Sequence, residues 1–148
     1  MTTIAYRAGI LASDTQVTST DGTKVHMRKI GRLPDGSHYG FAGNVKDINR
    51  VLRWIEEGTP KRKKPRPTEE IEAILIKPDG AIFVINDALE FEQILDKFFA
   101  IGSGGTYARA AMACGRSAVA AVKIAARFDA NTSAPVETLT VIRAETAT

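Results

Sequence analysis

The chain is poor in the residues that build most metal, redox and imidazole chemistry, with one cysteine, Cys114, and two histidines, His26 and His38, among 148 residues. A lone cysteine excludes an internal disulfide framework and leaves no ligand spacing for zinc, so neither a metal nor a cofactor is expected. Two isolated histidines give little support to a Ser-His-Asp arrangement. No run of Gly, four residues and then Gly-Lys-Ser/Thr occurs, which excludes a phosphate loop of that kind. No stretch nears the ~18–20 apolar residues of a membrane span, and no basic segment followed by ~7–15 apolar residues opens the sequence. The expectation is a cytoplasmic protein with no membrane partner.

Charge is unevenly spread. The formal net charge is +3, yet Lys61, Arg62, Lys63, Lys64 and Arg66 supply five of the 20 basic residues, and without them 15 basic residues face 17 acidic ones. Pro60, Pro65 and Pro67 share the stretch, which predicts an extended, solvated connector at about 59–68 and not a helix. No aromatic is interleaved to stack on a base, so nucleic acid is not the expected partner. The length suits one domain over residues 1–148 that buries roughly 68–70% of its unfolded surface.

What is present begins at the start of the chain. Thr3-Ile4-Ala5-Tyr6 and Ile10-Leu11-Ala12-Ser13 are short β-prone runs around Arg7-Ala8-Gly9, which predicts a hairpin with a three-residue loop closed by Gly9. With Tyr6 opposite Ile10, paired residues sum to 16 and Thr2 faces Asp14. Strands follow at Lys29–Leu33, with a turn at Pro34-Asp35-Gly36, and at His38–Ala42. A helix starts after Asn44 with Val45, Ile48, Val51, Leu52 and Ile55 on one face. Beyond the connector, Ile71–Ile76 and Ala81–Ile85 flank Lys77-Pro78-Asp79-Gly80 as a second hairpin, and a short strand is expected near Phe98–Ile101. Gly102-Ser103-Gly104-Gly105 opens an Ala-rich helix that Gly115 interrupts, Ser117 caps a second helix to about Phe128, and Val136–Ile142 is the last strand.

This order places an unusual chemistry within reach. If Met1 is removed, Thr2 carries a hydroxyl and a free α-amine, so nucleophile and base share one residue. The amine has an ordinary pKa near ~7.7–8.0, and a nearby cation lowers it by disfavouring a second positive charge. Lys29 can supply the cation and Asp14 can hold it, although the same two residues also read as a structural ion pair. Backbone N–H groups at the Gly43–Asn44 junction, at a helix N-terminus, favour developing negative charge, which makes Gly43 the expected oxyanion donor. The Gly-rich turn reads either as a support carrying Ser103 or as a purely structural turn. A nucleophile elbow is excluded because Ile101, not glycine, stands two residues before Ser103.

Thr2-Thr3-Ile4, Arg28-Lys29-Ile30-Gly31-Arg32-Leu33, Gly40-Phe41-Ala42-Gly43 and Ala100-Ile101-Gly102-Ser103-Gly104-Gly105 with Tyr107-Ala108, in that order, resemble the HslV-type bacterial proteasome subunits. More broadly they resemble the β-type proteasome subunits, which are N-terminal-nucleophile hydrolases. The resemblance covers nearly the whole chain apart from the basic connector. It implies an α+β fold in the form of a four-layer αββα sandwich, and a threonine endopeptidase with Thr2 as nucleophile, Asp14 and Lys29 as the charged pair beneath it, and Gly43 as oxyanion donor. By position it also implies that Ser103, Asp129 and Thr132 support the amine and nucleophile, and that Gln16, Thr18 and Asn44 line the cleft for a polypeptide substrate. Family members form stacked homo-oligomeric rings fed by a separate ATP-dependent unfoldase.

The sequence departs from the family in several places, among them a tighter first hairpin and a compact overall length. Thr15 stands where HslV-like chains carry glycine after the aspartate, Thr132-Ser133 replaces the usual Ser-Gly, and the basic connector has no counterpart. A catalytically silent ring or interaction subunit is the alternative reading. A mature chain that begins at Thr2 would argue against it, and retained Met1 for it.

Overall fold

The computed structural model describes residues 2–141. Met1, whose removal the chemistry requires, and Ile142, the expected end of the last strand, lie outside the described residues. In chain order the strands are β1 (Ile4–Arg7), β2 (Ile10–Ser13), β3 (Gln16–Thr18), β4 (Lys24–His26), β5 (Ile30–Arg32), β6 (His38–Gly43), β7 (Ile71–Ile76), β8 (Ile82–Ile85), β9 (Phe91–Ile94), β10 (Phe98–Ile101) and β11 (Glu137–Thr140). The helices are α1 (Val45–Glu56), α2 (Gly105–Ala113) and α3 (Ala118–Phe128).

The first hairpin is tighter than the sequence predicts. Ala8 (φ 50°) and Gly9 (φ 80°) form a two-residue turn with both residues left-handed, the geometry that matches the right-handed twist of paired strands. Arg7 therefore pairs with Ile10 and Ile4 with Ser13, so partners sum to 17 and not 16. Thr3 consequently comes level with Asp14, whose N–H donates to the Thr3 carbonyl at 3.1 Å. Thr2 meets Asp14 from the next position.

Two antiparallel sheets carry the fold, one in the order β10-β1-β2-β11 and the other β5-β6-β7-β8-β9, with β3 and β4 as a separate pair. Alternation along the strands divides the core. Ala5, Ala12 and Ala100 turn to one side and pack on Ala108, Met112, Ala121, Val122 and Ala125 of α2 and α3. Small side chains on both partners let these helices lie close to the sheet. Ile4, Tyr6, Leu11 and Ile101 turn to the other side, against Ile30, Ile74, Ile76 and Ile82 of the second sheet. Each of these large buried side chains contributes about 1.5–3 kcal/mol of burial free energy. The far face of the second sheet, with Phe41, Ala73 and Ile85, is covered by Val51 and Trp54 of α1.

The predicted helices form where their caps lie. Asn44 Oδ1 accepts the Lys46 N–H at 2.9 Å and Ser117 Oγ accepts the Ala120 N–H at 3.1 Å. Strand β9 is not predicted by the sequence because it is an edge strand whose Phe91, Glu92 and Gln93 are all exposed, which leaves no alternation to read. The connector contains one short 3₁₀ turn, Lys61–Lys63, where an extended segment is predicted. It is anchored at both ends. Trp54 Nε1 donates to the Pro60 carbonyl at 2.9 Å, and Asp47 Oδ2 accepts from Thr68 N, Thr68 Oγ1 and Glu69 N at 3.0–3.2 Å.

Candidate active site

Thr2 and Thr3 lie immediately before β1, and β10 ends at Ile101 opposite Ile4, so the turn after β10 folds back onto the two threonines. Only glycine fits there. A Cβ on Gly102 would stand 2.1 Å from the Thr2 carbonyl oxygen, and one on Gly104 would stand 1.9 Å from Thr3 Oγ1. Both are far inside the ~3.5–4.0 Å of ordinary contact. The turn is therefore a clasp on the start of the chain, and its glycines are explained by the close approach. Gly104 N–H donates to the Thr2 carbonyl at 3.2 Å, and Thr2 N–H donates to Ser103 Oγ at 3.2 Å.

From Ser103 a chain of hydrogen bonds leads to Asp129 and returns to Thr3. Ser103 Oγ and Thr132 Oγ1 each donate to Asp129 Oδ2 at 2.6 Å. Thr132 and Thr3 hydroxyls meet at 2.7 Å, and because the Thr132 proton is already committed, Thr3 is the donor. Burial opposes the charged Asp129 carboxylate, but the bonds from Ser103, Thr132 and the Asn131 N–H outweigh it and hold its pKa below the ordinary 3.8.

Asp14 lies on the other side of Thr2, with no exposed surface. Its Oδ1 accepts from the Thr2 hydroxyl, from Thr3 N–H at 3.0 Å and from Lys29 Nζ at 3.0 Å. Its Oδ2 accepts from the N–H groups of Gln16 and Ser133, each at 3.3 Å. A buried carboxylate with this many donors is fully satisfied. Lys29 Nζ also donates to Thr2 Oγ1, so the hydroxyl sits between cation and anion. The Lys29 side chain is 8% exposed. That desolvation lowers its pKa from the ordinary 10.5, and the attraction of Asp14 offsets only part of the effect.

Thr2, Asp14, Lys29, Ser103, Asp129 and Thr132 are thus brought into one connected network. Gly43 ends β6, a strand bound to the Lys29 segment where Phe41 N–H donates to the Lys29 carbonyl at 3.1 Å. The Asn44 side chain is committed to capping α1. Gln16 is only 3% exposed. Its amide nitrogen reaches Thr18 Oγ1 at 3.3 Å and the Ala130 carbonyl at 3.5 Å, so it braces the loop before Thr132 from within. Thr18 is exposed. Sequence reasoning missed Thr3 and Ser133, whose N–H groups hold Asp14. Thr3 could have been found from its place in a register one residue longer than predicted.

Among the described residues no group of three or more His, Cys, Asp or Glu could hold a metal, and no helix is long and apolar enough to cross a membrane. A depression of about 500 Å³ lined by Leu33, Ile55, Leu75, Phe83 and Phe91 lies over the α1 side of the second sheet, away from these residues. The Thr2 site is defined by its hydrogen bonds. Its arrangement can polarise one hydroxyl between an ammonium and a carboxylate while a second hydroxyl accepts from the nitrogen of the same residue.

No family model matches the chain. It is 34% identical over 125 residues to the ATP-dependent protease subunit HslV of Roseobacter denitrificans, covering 69% of this chain and 66% of that one. The chain is HslV-like and proteasome-like. The same fold is seen in the crystal structure of eukaryotic HslV from Trypanosoma brucei, at 24% identity and a TM-score of 0.67, covering 94% of this chain and 98% of that chain. Anbu, an ancestral beta-subunit, from Yersinia bercovieri matches at 15% identity and a TM-score of 0.71, covering 94% of this chain and 80% of that one. These two structural likenesses establish a shared α+β fold. The chain spans 66% of the length of the HslV relative that it matches in sequence.

Proposed function

We propose that this chain is a threonine endopeptidase subunit of the HslV and proteasome β type, active once Met1 has been removed. The observation that carries the reading is the position of the Thr2 hydroxyl, which receives a hydrogen bond from Lys29 Nζ and gives one to Asp14 Oδ1 while the Thr2 nitrogen sits on Ser103 Oγ. While Met1 is attached that nitrogen is an amide with no useful basicity. After its removal it is an amine beside a cation, which favours the neutral, proton-accepting form at neutral pH.

In this mechanism Thr2 Oγ1 attacks the substrate carbonyl carbon as its proton passes to the α-amine. Lys29 stabilises the oxygen as it loses the proton, and the Gly43 N–H receives the carbonyl oxygen as it becomes negative. The ammonium returns its proton to the departing amine as the C–N bond breaks, leaving an ester on Thr2. Water then attacks the ester with the α-amine as base, releasing the acid and restoring the hydroxyl. Ser103, Asp129 and Thr132 hold the amine, and Thr18 and Asn44 border the approach of the peptide.

The same reading takes the three core clusters as the seams of a four-layer αββα sandwich, and the protein as cytoplasmic, forming rings of identical chains served by an ATP-dependent unfoldase. The test is Thr2→Ala in purified protein whose mature N-terminus has been established by intact mass. Cleavage of a fluorogenic peptide is expected to fall at least ~10³-fold, since the remaining groups have no nucleophile to activate, while the oligomeric state stays the same. Unchanged turnover would refute the assignment. An intact, well-folded wild type that keeps Met1 and cleaves nothing would favour the silent-subunit reading.

A further inference from the structure

One charged residue near this network has no role in the mechanism above. Glu72 lies on β7 in the same alternation as Ile74 and Ile76, which are wholly buried between the sheets. Glu72 is half-buried at the end of that apolar column, where a donor offsets the partial loss of water around its carboxylate. Its donor is across the sheets: the Gly102 N–H gives a 2.8 Å hydrogen bond to Glu72 Oε1. Gly102 is in a left-handed conformation, φ 94°, and lies against the Thr2 carbonyl with no room for a side chain. The next two residues supply Ser103 Oγ to the Thr2 nitrogen and the Gly104 N–H to the Thr2 carbonyl.

We propose that Glu72 is a positioning residue that pins the Gly102–Ser103 turn and thereby sets where the Thr2 nitrogen stands relative to its hydroxyl. It also ties the sheet that carries Gly43 to the turn that holds Thr2, since Glu72 pairs with Ala42 at the end of β6. A shift of either sheet is thus passed to both halves of the site. The effect on catalysis rests on the peptidase reading, whereas the pinning of the turn does not.

The experiment compares wild type, Glu72→Gln and Glu72→Ala as full chains by backbone amide exchange over residues 102–105 and by steady-state peptide cleavage. Gln keeps an acceptor oxygen in the same place. Exchange at Gly102 and Gly104 is expected to rise ~10-fold or more in the Ala variant and to stay within ~3-fold of wild type in the Gln variant. In the cleavage assay kcat falls ~10-fold for Ala with KM within ~2-fold, and the Gln variant recovers most of it. Unchanged Gly104 exchange in the Ala variant overturns the proposal, as does a Gln variant no better than Ala. If the Ala variant does not fold, Glu72→Leu repeats the test with the apolar column extended. If wild type cleaves no peptide, the peptidase reading fails on its own, and the exchange data still decide whether Glu72 holds the turn.

Discussion

Two aspartates, Asp14 and Asp47, are buried to almost the same degree, at 0% and 2% exposure, and each ties a distant segment to the element that carries it. Asp47, in the first turn of α1, gathers the Thr68 N–H and hydroxyl and the Glu69 N–H on one oxygen, and Arg50 approaches the other at 3.7 Å from a half-exposed position. Asp14 gathers backbone N–H groups too, but adds a buried ammonium and a threonine hydroxyl on the same oxygen. Burial of a carboxylate therefore marks an anchor in both regions. Chemistry is marked by the cation that shares its oxygen with a hydroxyl.

Asp14→Ala breaks the comparison hardest. It takes the countercharge from the Lys29 ammonium in a desolvated site and removes the acceptor of the Thr3, Gln16 and Ser133 N–H groups. Removing one partner of a buried ion pair costs about 3–5 kcal/mol, to be read from urea or thermal unfolding, and peptide cleavage should be lost with it. A loss no larger than that of the Asp47 variant would erase the distinction between the two sites.

Asp47→Ala is the matched control. It frees the end of the connector and removes a carboxylate whose charged partner, Arg50 at 3.7 Å, is half-exposed and can be solvated instead, so the expected loss is about 1–3 kcal/mol. Trypsin should cut faster at Lys61–Arg66, and cleavage of a small peptide should stay within about 2-fold of wild type, because none of the Thr2 network passes through α1. A large drop in turnover would show that the connector supports the site after all.

The difference between these regions was only partly legible in the sequence. Thr2, Asp14 and Lys29 could be grouped because a hairpin brings the first two together and because their residue types fit one mechanism. The register was misjudged, since Ala8 adopts a left-handed conformation that a propensity argument assigns to glycine. Asp129 and Thr132 came from the resemblance alone, and for Ser103 the local pattern left a supporting role and a plain structural turn equally open. The glycines around it are explained only when Thr2 and Thr3 are seen pressed against them. Glu72 left a readable trace, a charge in the inward alternation of Ile74 and Ile76, but its meaning depends on which strand crosses it. Asp47 gave no sign of its anchoring role, because an acidic residue in the first turn of a helix is expected on electrostatic grounds alone.

The smallest effect is expected on the outer side of the network. Asp129 has a folded pKa below 3.8, so its hydrogen bonds contribute stability that is fully present above that value and lost as the pH falls through the lower folded one. The thermal midpoint of wild type should exceed that of Asp129→Asn at pH 7, and the gap should close as the pH falls below 3.8. Lys29 acts with the same sign at the other end of the pH range, although for it burial disfavours the charged form whereas at Asp129 the hydrogen bonds favour it. Its pKa is lowered by burial, so the folded state gains stability as the pH rises from that lowered value towards 10.5, where the unfolded chain still holds the extra proton. Thermal unfolding of both proteins across acid and alkaline pH separates the two groups: the Asn substitution should flatten the acid side and change the alkaline side much less, because the Asp129 charge is the smallest of the influences on Lys29. If the two curves stayed parallel below pH 3.8, the bonds from Ser103 and Thr132 would not be favouring the charged form of Asp129, and the support for the Thr2 nitrogen would be neutral in character.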